Sequence, residues 1–175
     1  NEVKEILKYL YKLRADNPDT GDYAYKAQTR DIAVVELLFA TGIRVSELCE
    51  LSCDAVDLKQ ATIKVFGKGS KERVIQICSV EVLKILRQYQ RLFAPSECFF
   101  INRLGNRLSS QSVRLLIKRC REETGIGKKI TPHTFRHTFA TLLLEEDVDI
   151  KYIQNLLGHS SITTTQIYTH VNMNK

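Results

Sequence analysis

Apolar residues recur at helical spacing through most of this chain, and a single stretch switches to β-branched alternation. That one change of period limits the fold to a mainly α domain carrying a small antiparallel β-hairpin or sheet, of the α+β class. Val3, Ile6, Leu7, Leu10 and Leu13 repeat at intervals of three and four, as do Ile32, Val35, Leu38 and Phe39 up to Thr41-Gly42. Gly42 reads as a helix stop, and a short second helix, Val45 to Leu51, starts just past Arg44. Arg44 thereby falls at a junction between two elements, where it can project into a cleft. The β signal is Thr62-Ile63-Lys64-Val65-Phe66 and Arg73-Val74-Ile75-Gln76-Ile77, joined by Gly67-Lys68-Gly69-Ser70-Lys71-Glu72 as a hairpin loop.

Beyond the hairpin the spacing predicts a helix over Val80 to Leu92, a short apolar strand or buried turn at Cys98 to Ile101, and an arginine-rich helix whose core is Val113 to Cys120. Thr131-Pro132 has the chemistry of an N-cap followed by proline in the first helical position. His133 and Arg136, three apart, then share a face near the start of that helix, with Phe139, Leu142 and Leu143 expected toward the core. Ile150, Ile153, Leu156 and Leu157 make a further amphipathic helix stopped by Gly158; His159 stands just past the stop, and Ile162 to Tyr168 form the last helical turns. No internal repeat, low-complexity segment or linker divides the chain, so residues 1–175 read as one domain. It begins at Asn1 rather than Met, as a domain excised from a longer protein would.

A 175-residue chain with 43% hydrophobic composition buries enough surface, about 70% of what the unfolded chain exposes, to fold without a disulfide or metal. The five cysteines, Cys49, Cys53, Cys78, Cys98 and Cys120, are odd in number and form no C-x-x-C pair, which suits small buried hydrophobes in a reducing, intracellular setting. No run of about 18 apolar residues and no signal peptide is present, which argues against a membrane protein. Charge points to a polyanion. The net charge is +6, and between Ile101 and Arg136 nine Lys and Arg face only Glu122 and Glu123, a local excess of +7. A helix from Arg107 to Arg121, with Arg114 and Lys118 between them, is the expected source of sequence-tolerant phosphate contacts.

The last quarter holds residues suited to phosphoryl chemistry. Arg136 offers a planar fork matched to phosphate oxygens, His133 and His159 offer donors that titrate near neutrality, and Tyr168 offers a nucleophilic oxygen. Lys68 sits on the hairpin tip, from where a lysine can enter a site from above; Lys71 shares that loop. The loop glycines do not form a Walker pattern, because Gly-Lys-Gly-Ser lies between two strands. His133 and His137, at i and i+4, lack the glutamate of H-E-x-x-H and a third ligand, so no metal site is assigned.

Thr41-Gly42-Ile43-Arg44-Val45-Ser46-Glu47-Leu48, Gly67-Lys68-Gly69-Ser70-Lys71-Glu72-Arg73, His133-Thr134-Phe135-Arg136-His137 and Leu156-Leu157-Gly158-His159, closing on Tyr168, resemble in order and spacing the catalytic domain of the tyrosine recombinases, the phage-integrase family. The resemblance implies that Tyr168 attacks a DNA phosphodiester, leaving a 3′-phosphotyrosine and a free 5′-hydroxyl, with no metal, ATP or other cofactor. It implies that Arg44 and Arg136 hold the non-bridging oxygens, His159 donates to the same phosphate, Lys68, in the family's Gly-Lys-Gly position, protonates the leaving oxygen, and His133 positions or deprotonates Tyr168. Glu47, one turn from Arg44, becomes the carboxylate that orients an arginine or histidine, and His137 is read as structural.

By the same resemblance the partner is double-stranded DNA, bound by a homotetramer on paired sites, with the isolated domain a monomer and the N-terminal DNA-binding domain of the parent protein absent. The setting is bacterial-type cytoplasm, on DNA. Integration or excision of a mobile element or phage DNA is the leading role and chromosome-dimer resolution the alternative. A catalytically silent DNA-binding module and a DNA-relaxing topoisomerase are two further readings.

Overall fold

The computed structural model describes residues 1–67, 71–93 and 95–158, and within them a helical body carries one three-stranded sheet. Helix α1 (Glu2–Ala15) starts where the Asn1 side chain accepts the Val3 N–H at 3.0 Å, with Glu2 and Glu5 in its first turn and Lys12 and Arg14 in its last, the arrangement that the helix dipole favours. Its apolar stripe, Val3, Ile6, Leu7 and Leu10, packs on α2 (Tyr23–Thr41). Helix α2 is buried on nearly every side from Asp31 to Leu38, which makes it the central element, flanked by α1, α4 (Val80–Leu92) and α6 (Pro132–Glu145). It stops at Gly42, whose left-handed φ of 65° lets its N–H reach the Leu38 carbonyl at 3.1 Å.

Helix α3 (Val45–Cys49) follows at once, and a 3-10 turn (Cys53–Ala55) leads into the sheet. Its strands run antiparallel in the order β1 (Val56–Asp57), β2 (Thr62–Phe66), β3 (Glu72–Gln76), with Ile63 opposite Ile75 and Val65 opposite Arg73. Ile63, Val65 and Ile75 point into the core, while Phe66 and Val74 face outward. The two-residue β1 has no period of its own to read, and so escapes a pattern-based reading.

Cys98 to Ile101, expected as a short strand or buried turn, is a largely buried run held by isolated antiparallel bridges, Ser52 to Cys98 and Ile101 to Arg107. The Tyr89 hydroxyl fixes it, donating to the Phe99 carbonyl at 2.8 Å and accepting the Ile101 N–H at 3.1 Å. Helix α5 (Ser110–Thr124) buries Val113, Leu116, Ile117 and Cys120, and begins three residues after Arg107, so Arg107 lies outside the helix that the charge pattern suggested. Helices α6 and α7 (Ile150–Leu157) form a small second cluster around Ala140, Leu144, Ile153 and Leu157. Leu142, expected toward the core, is 39% exposed, because Phe135, Ala140 and Leu144 define the buried stripe instead. Cys49 and Cys120 are buried, but Cys78 is exposed, against the expectation of five buried thiols. Among the described residues no helix is long and apolar enough to cross a membrane.

Candidate active site

Three chain reversals bring the functional side chains together. The αL turn at Gly42 points the chain into Arg44, which stands extended at the N-terminus of α3 with its backbone N–H donated to Glu47 Oε1 at 3.0 Å. Thr131, Pro132 and Thr134 start α6; the Thr134 hydroxyl accepts the Thr131 N–H at 3.0 Å, and the ring of Pro132 occupies the first helical position. Gly158 ends α7 with a φ of 68°.

Arg136 is the keystone of this arrangement. It is 7% exposed, donates from Nη1 to the Gly42 carbonyl at 2.7 Å and from Nη2 to the Leu157 carbonyl at 2.5 Å. One fork therefore ties the ends of α2 and α7 to the start of α6. Arg44 is more open, with 39% of its side chain exposed, and its Nη2 lies 3.4 Å from the Gly158 carbonyl. Both arginines line a cleft of about 850 Å³ that also takes in His133, which is exposed on the first turn of α6.

The wall opposite comes from α5. Arg114, Lys118 and Arg121, at i, i+4 and i+7, form one cationic stripe on the face away from the core and line the same cleft, joined by Lys129. Among the described residues no Asp or Glu lines it, and Ile43, Val45, Ile130 and Pro132 supply low-dielectric walls. Such a cleft concentrates positive potential and selects anions with spaced charges. Arg107 is exposed and is not among the lining residues.

Glu47 lies just behind Arg44. Its side chain is 6% exposed, stands 3.6 Å from Arg44 Nη1, and is gripped by Arg73 through two hydrogen bonds, Nη1 to Oε2 at 2.6 Å and Nη2 to Oε1 at 2.9 Å. Burial alone would raise the Glu47 pKa, but the hydrogen bonds from Arg73 and from the Arg44 N–H, with the charges of both guanidinia, outweigh it and hold the carboxyl below its usual value. Glu47, the carboxylate expected to orient an arginine or histidine, stands beside Arg44, and Arg73 is the partner that the sequence reading missed. A signal for it existed: alternation along β3 puts residue 73 on the inner face with Ile75, where an arginine needs an acid.

The structure thus gathers Arg44, His133, Arg136, Arg114, Lys118 and Arg121 around one cleft, with Glu47 behind Arg44. Lys68, His159 and Tyr168, and the helical turns expected over Ile162 to Tyr168, lie outside the described residues. Among the described residues no group of three His, Cys, Asp or Glu side chains is placed to hold a metal.

Comparison with known proteins gives a consistent result. The model of the phage integrase family matches residues 1–175. A tyrosine recombinase of Agathobacter rectalis is 50% identical over 177 residues, 99% of this chain and 57% of that protein. Tyrosine recombinase XerC of Thermodesulfovibrio yellowstonii is 46% identical over 153 residues, 82% of this chain and 51% of that protein. Among solved structures, the XerH site-specific recombinase bound to palindromic difH substrate, a post-cleavage complex, superposes with a TM-score of 0.81 at 26% identity, over 99% of this chain and 49% of that one. The chain spans about half the length of these relatives.

Proposed function

The chain belongs to the phage integrase family, the tyrosine recombinases, and from that premise and the acid-free cationic cleft we propose that it is the catalytic domain of a site-specific DNA recombinase. The observation that carries the reading is the convergence of Arg44 and Arg136 with the α5 stripe on one cleft that, among the described residues, no carboxylate lines. A duplex laid along it meets a row of phosphate-pairing side chains leading to two guanidinia that can stabilise a pentavalent phosphorus.

The chemistry follows from the roles assigned. The Tyr168 oxygen attacks the scissile phosphorus; the O–P bond to tyrosine forms as the bond from phosphorus to the 5′ oxygen breaks. The phenol proton leaves with help from His133, and the 5′ oxygen takes a proton from Lys68. Arg44, Arg136 and His159 carry the non-bridging oxygens. Bond energy is kept in the phosphotyrosine, so a 5′-hydroxyl from another strand reverses the step without ATP or metal. Double-stranded DNA is the partner, and paired sites held by a homotetramer supply the second strand. The Xer name of the relative from Thermodesulfovibrio yellowstonii weighs toward resolution of chromosome dimers, ahead of integration or excision of a mobile element.

The test is to incubate the protein, in chelator and without nucleotide, with a pool of nicked duplexes that trap covalent intermediates, and to locate the DNA remnant by mass spectrometry. An adduct on Tyr168, lost in Tyr168→Phe while DNA binding stays, is the expected result. An adduct that persists in Tyr168→Phe refutes the nucleophile, and binding with no adduct in the parent leaves a silent DNA-binding module as the function.

A further inference from the structure

Arg73 belongs to no part of the chemistry above, yet it is heavily engaged just behind the cleft. Its side chain is 13% exposed, both terminal nitrogens go to Glu47, and its Nε donates to the Leu156 carbonyl at 2.9 Å. One residue on the inner face of β3 therefore holds both the carboxylate behind Arg44 and the last turn of α7. Gly158 is shaped around it: a Cβ built there would stand 2.9 Å from Arg73 Nη1, and the residue's φ of 68° already favours glycine.

We propose that Arg73 is a positioning residue whose task is to neutralise Glu47, so that Arg44 keeps its charge and its donors for phosphate; the inference rests on the recombinase reading. The charges decide it. Glu47 lies between two guanidinia, at 2.6 Å from Arg73 and 3.6 Å from Arg44. With Arg73 present the carboxylate is satisfied by the nearer, two-pronged partner and only steadies Arg44. With Arg73 gone, a carboxylate whose side chain is 6% exposed keeps, among the ion pairs of the described residues, the one to Arg44, and closing on it turns Arg44 away from the cleft.

This predicts an order of rates that a purely structural role does not give. Removing both partners leaves neither an orphan acid nor a captured arginine. The test measures single-turnover adduct formation at saturating DNA, on the duplex recovered by the trapping experiment, with affinity and melting point followed in parallel. Arg73→Met is expected to slow adduct formation by about 30-fold while DNA affinity changes by less than about threefold. Adding Glu47→Gln to Arg73→Met is expected to restore part of that rate.

A folded Arg73→Met that reacts within about twofold of the parent overturns the proposal, and so does a double variant slower than either single one. Should Arg73→Met fail to fold, Arg73→Gln carries the same comparison, because a neutral amide can still hydrogen-bond but brings no charge to balance Glu47. A rate for Arg73→Gln within about twofold of the parent is then the overturning result. A parent that forms no adduct removes the recombinase reading itself, and the Arg73 inference with it.

Discussion

Gly42→Ala probes the turn on which both arginines depend. Gly42 has a φ of 65°, and a Cβ built on it would stand 2.5 Å from Phe139 Cδ1 and 2.7 Å from Leu157 Cδ2. The left-handed backbone costs a non-glycine residue about 1–2 kcal/mol. Crowding in a packed site adds about 1–3 kcal/mol. Together these give roughly 3 kcal/mol, and a domain of this size loses about 2–4 °C per kcal/mol, so the melting point should fall by about 10 °C. Gly125→Ala is the internal control, since Gly125 has a φ of 71° with nothing within 4 Å of its built Cβ. It should lose only the backbone part, about 3 °C. Differential scanning calorimetry on the two variants separates the contributions. If they melt within about 2 °C of each other, the contacts at Phe139 and Leu157 carry no energetic weight and the reasoning fails. Because the Gly42 carbonyl accepts from Arg136, adduct formation in Gly42→Ala should also drop at temperatures where the protein is fully folded, whereas Gly125→Ala should react like the parent.

Arg136→Lys should lower adduct formation by about 100-fold or more, since one ammonium cannot hold both the Gly42 and Leu157 carbonyls and still stabilise a phosphoryl group; a near-normal rate would remove Arg136 from the reaction. DNA affinity should fall steeply with salt, and neutralising Arg114, Lys118 and Arg121 together should flatten the log-log slope by up to about 2.7, roughly 0.9 per phosphate contact; an unchanged slope would take α5 off the duplex. The Glu47 pKa is lowered by folding, so its stabilisation is complete above the ordinary value of 4.5 and is lost as pH falls through the lower folded value. The melting-point gap between the parent and Glu47→Gln should therefore be widest near neutrality and narrow on acidification below that value, and a gap that is flat with pH would show that Glu47 is not held ionised by Arg73 and Arg44.

Much of the local architecture was legible because local chemistry dictates it. Gly42, Gly158 and the Thr131-Pro132 pair mark helix ends by backbone conformation and capping, which operate within a few residues, and α4 lies where its apolar period puts it. What escaped depends on distant partners. Arg73 and Glu47 are 26 residues apart on a strand and a helix, and only the folded sheet shows that residue 73 points inward. Leu142 has the right spacing for a core position but lies off a stripe set by how α6 meets α2 and α7. Arg107 looked continuous with the charges of α5 until the Ile101 bridge and Ser109 cap set the helix start. For the candidate site, Arg44, His133 and Arg136 could be named from helix ends and spacing and Glu47 from the family resemblance, whereas the cleft that unites the two arginines and His133 with Arg114, Lys118 and Arg121 is a property of tertiary packing.

The Arg136 fork spans 94 residues toward one carbonyl and 21 toward the other. Closing loops of that length comes late in folding, after the local helices have formed. A chain cut short before α7 would therefore carry Arg44 and the α5 stripe and still bind a duplex, but it would lack the clasp that sets the second guanidinium. Under the proposed chemistry such a fragment would also lack Tyr168, so the nucleophile and the carbonyl that clasps the second guanidinium arrive together, and a chain that ends before α7 can hold DNA without being able to nick it.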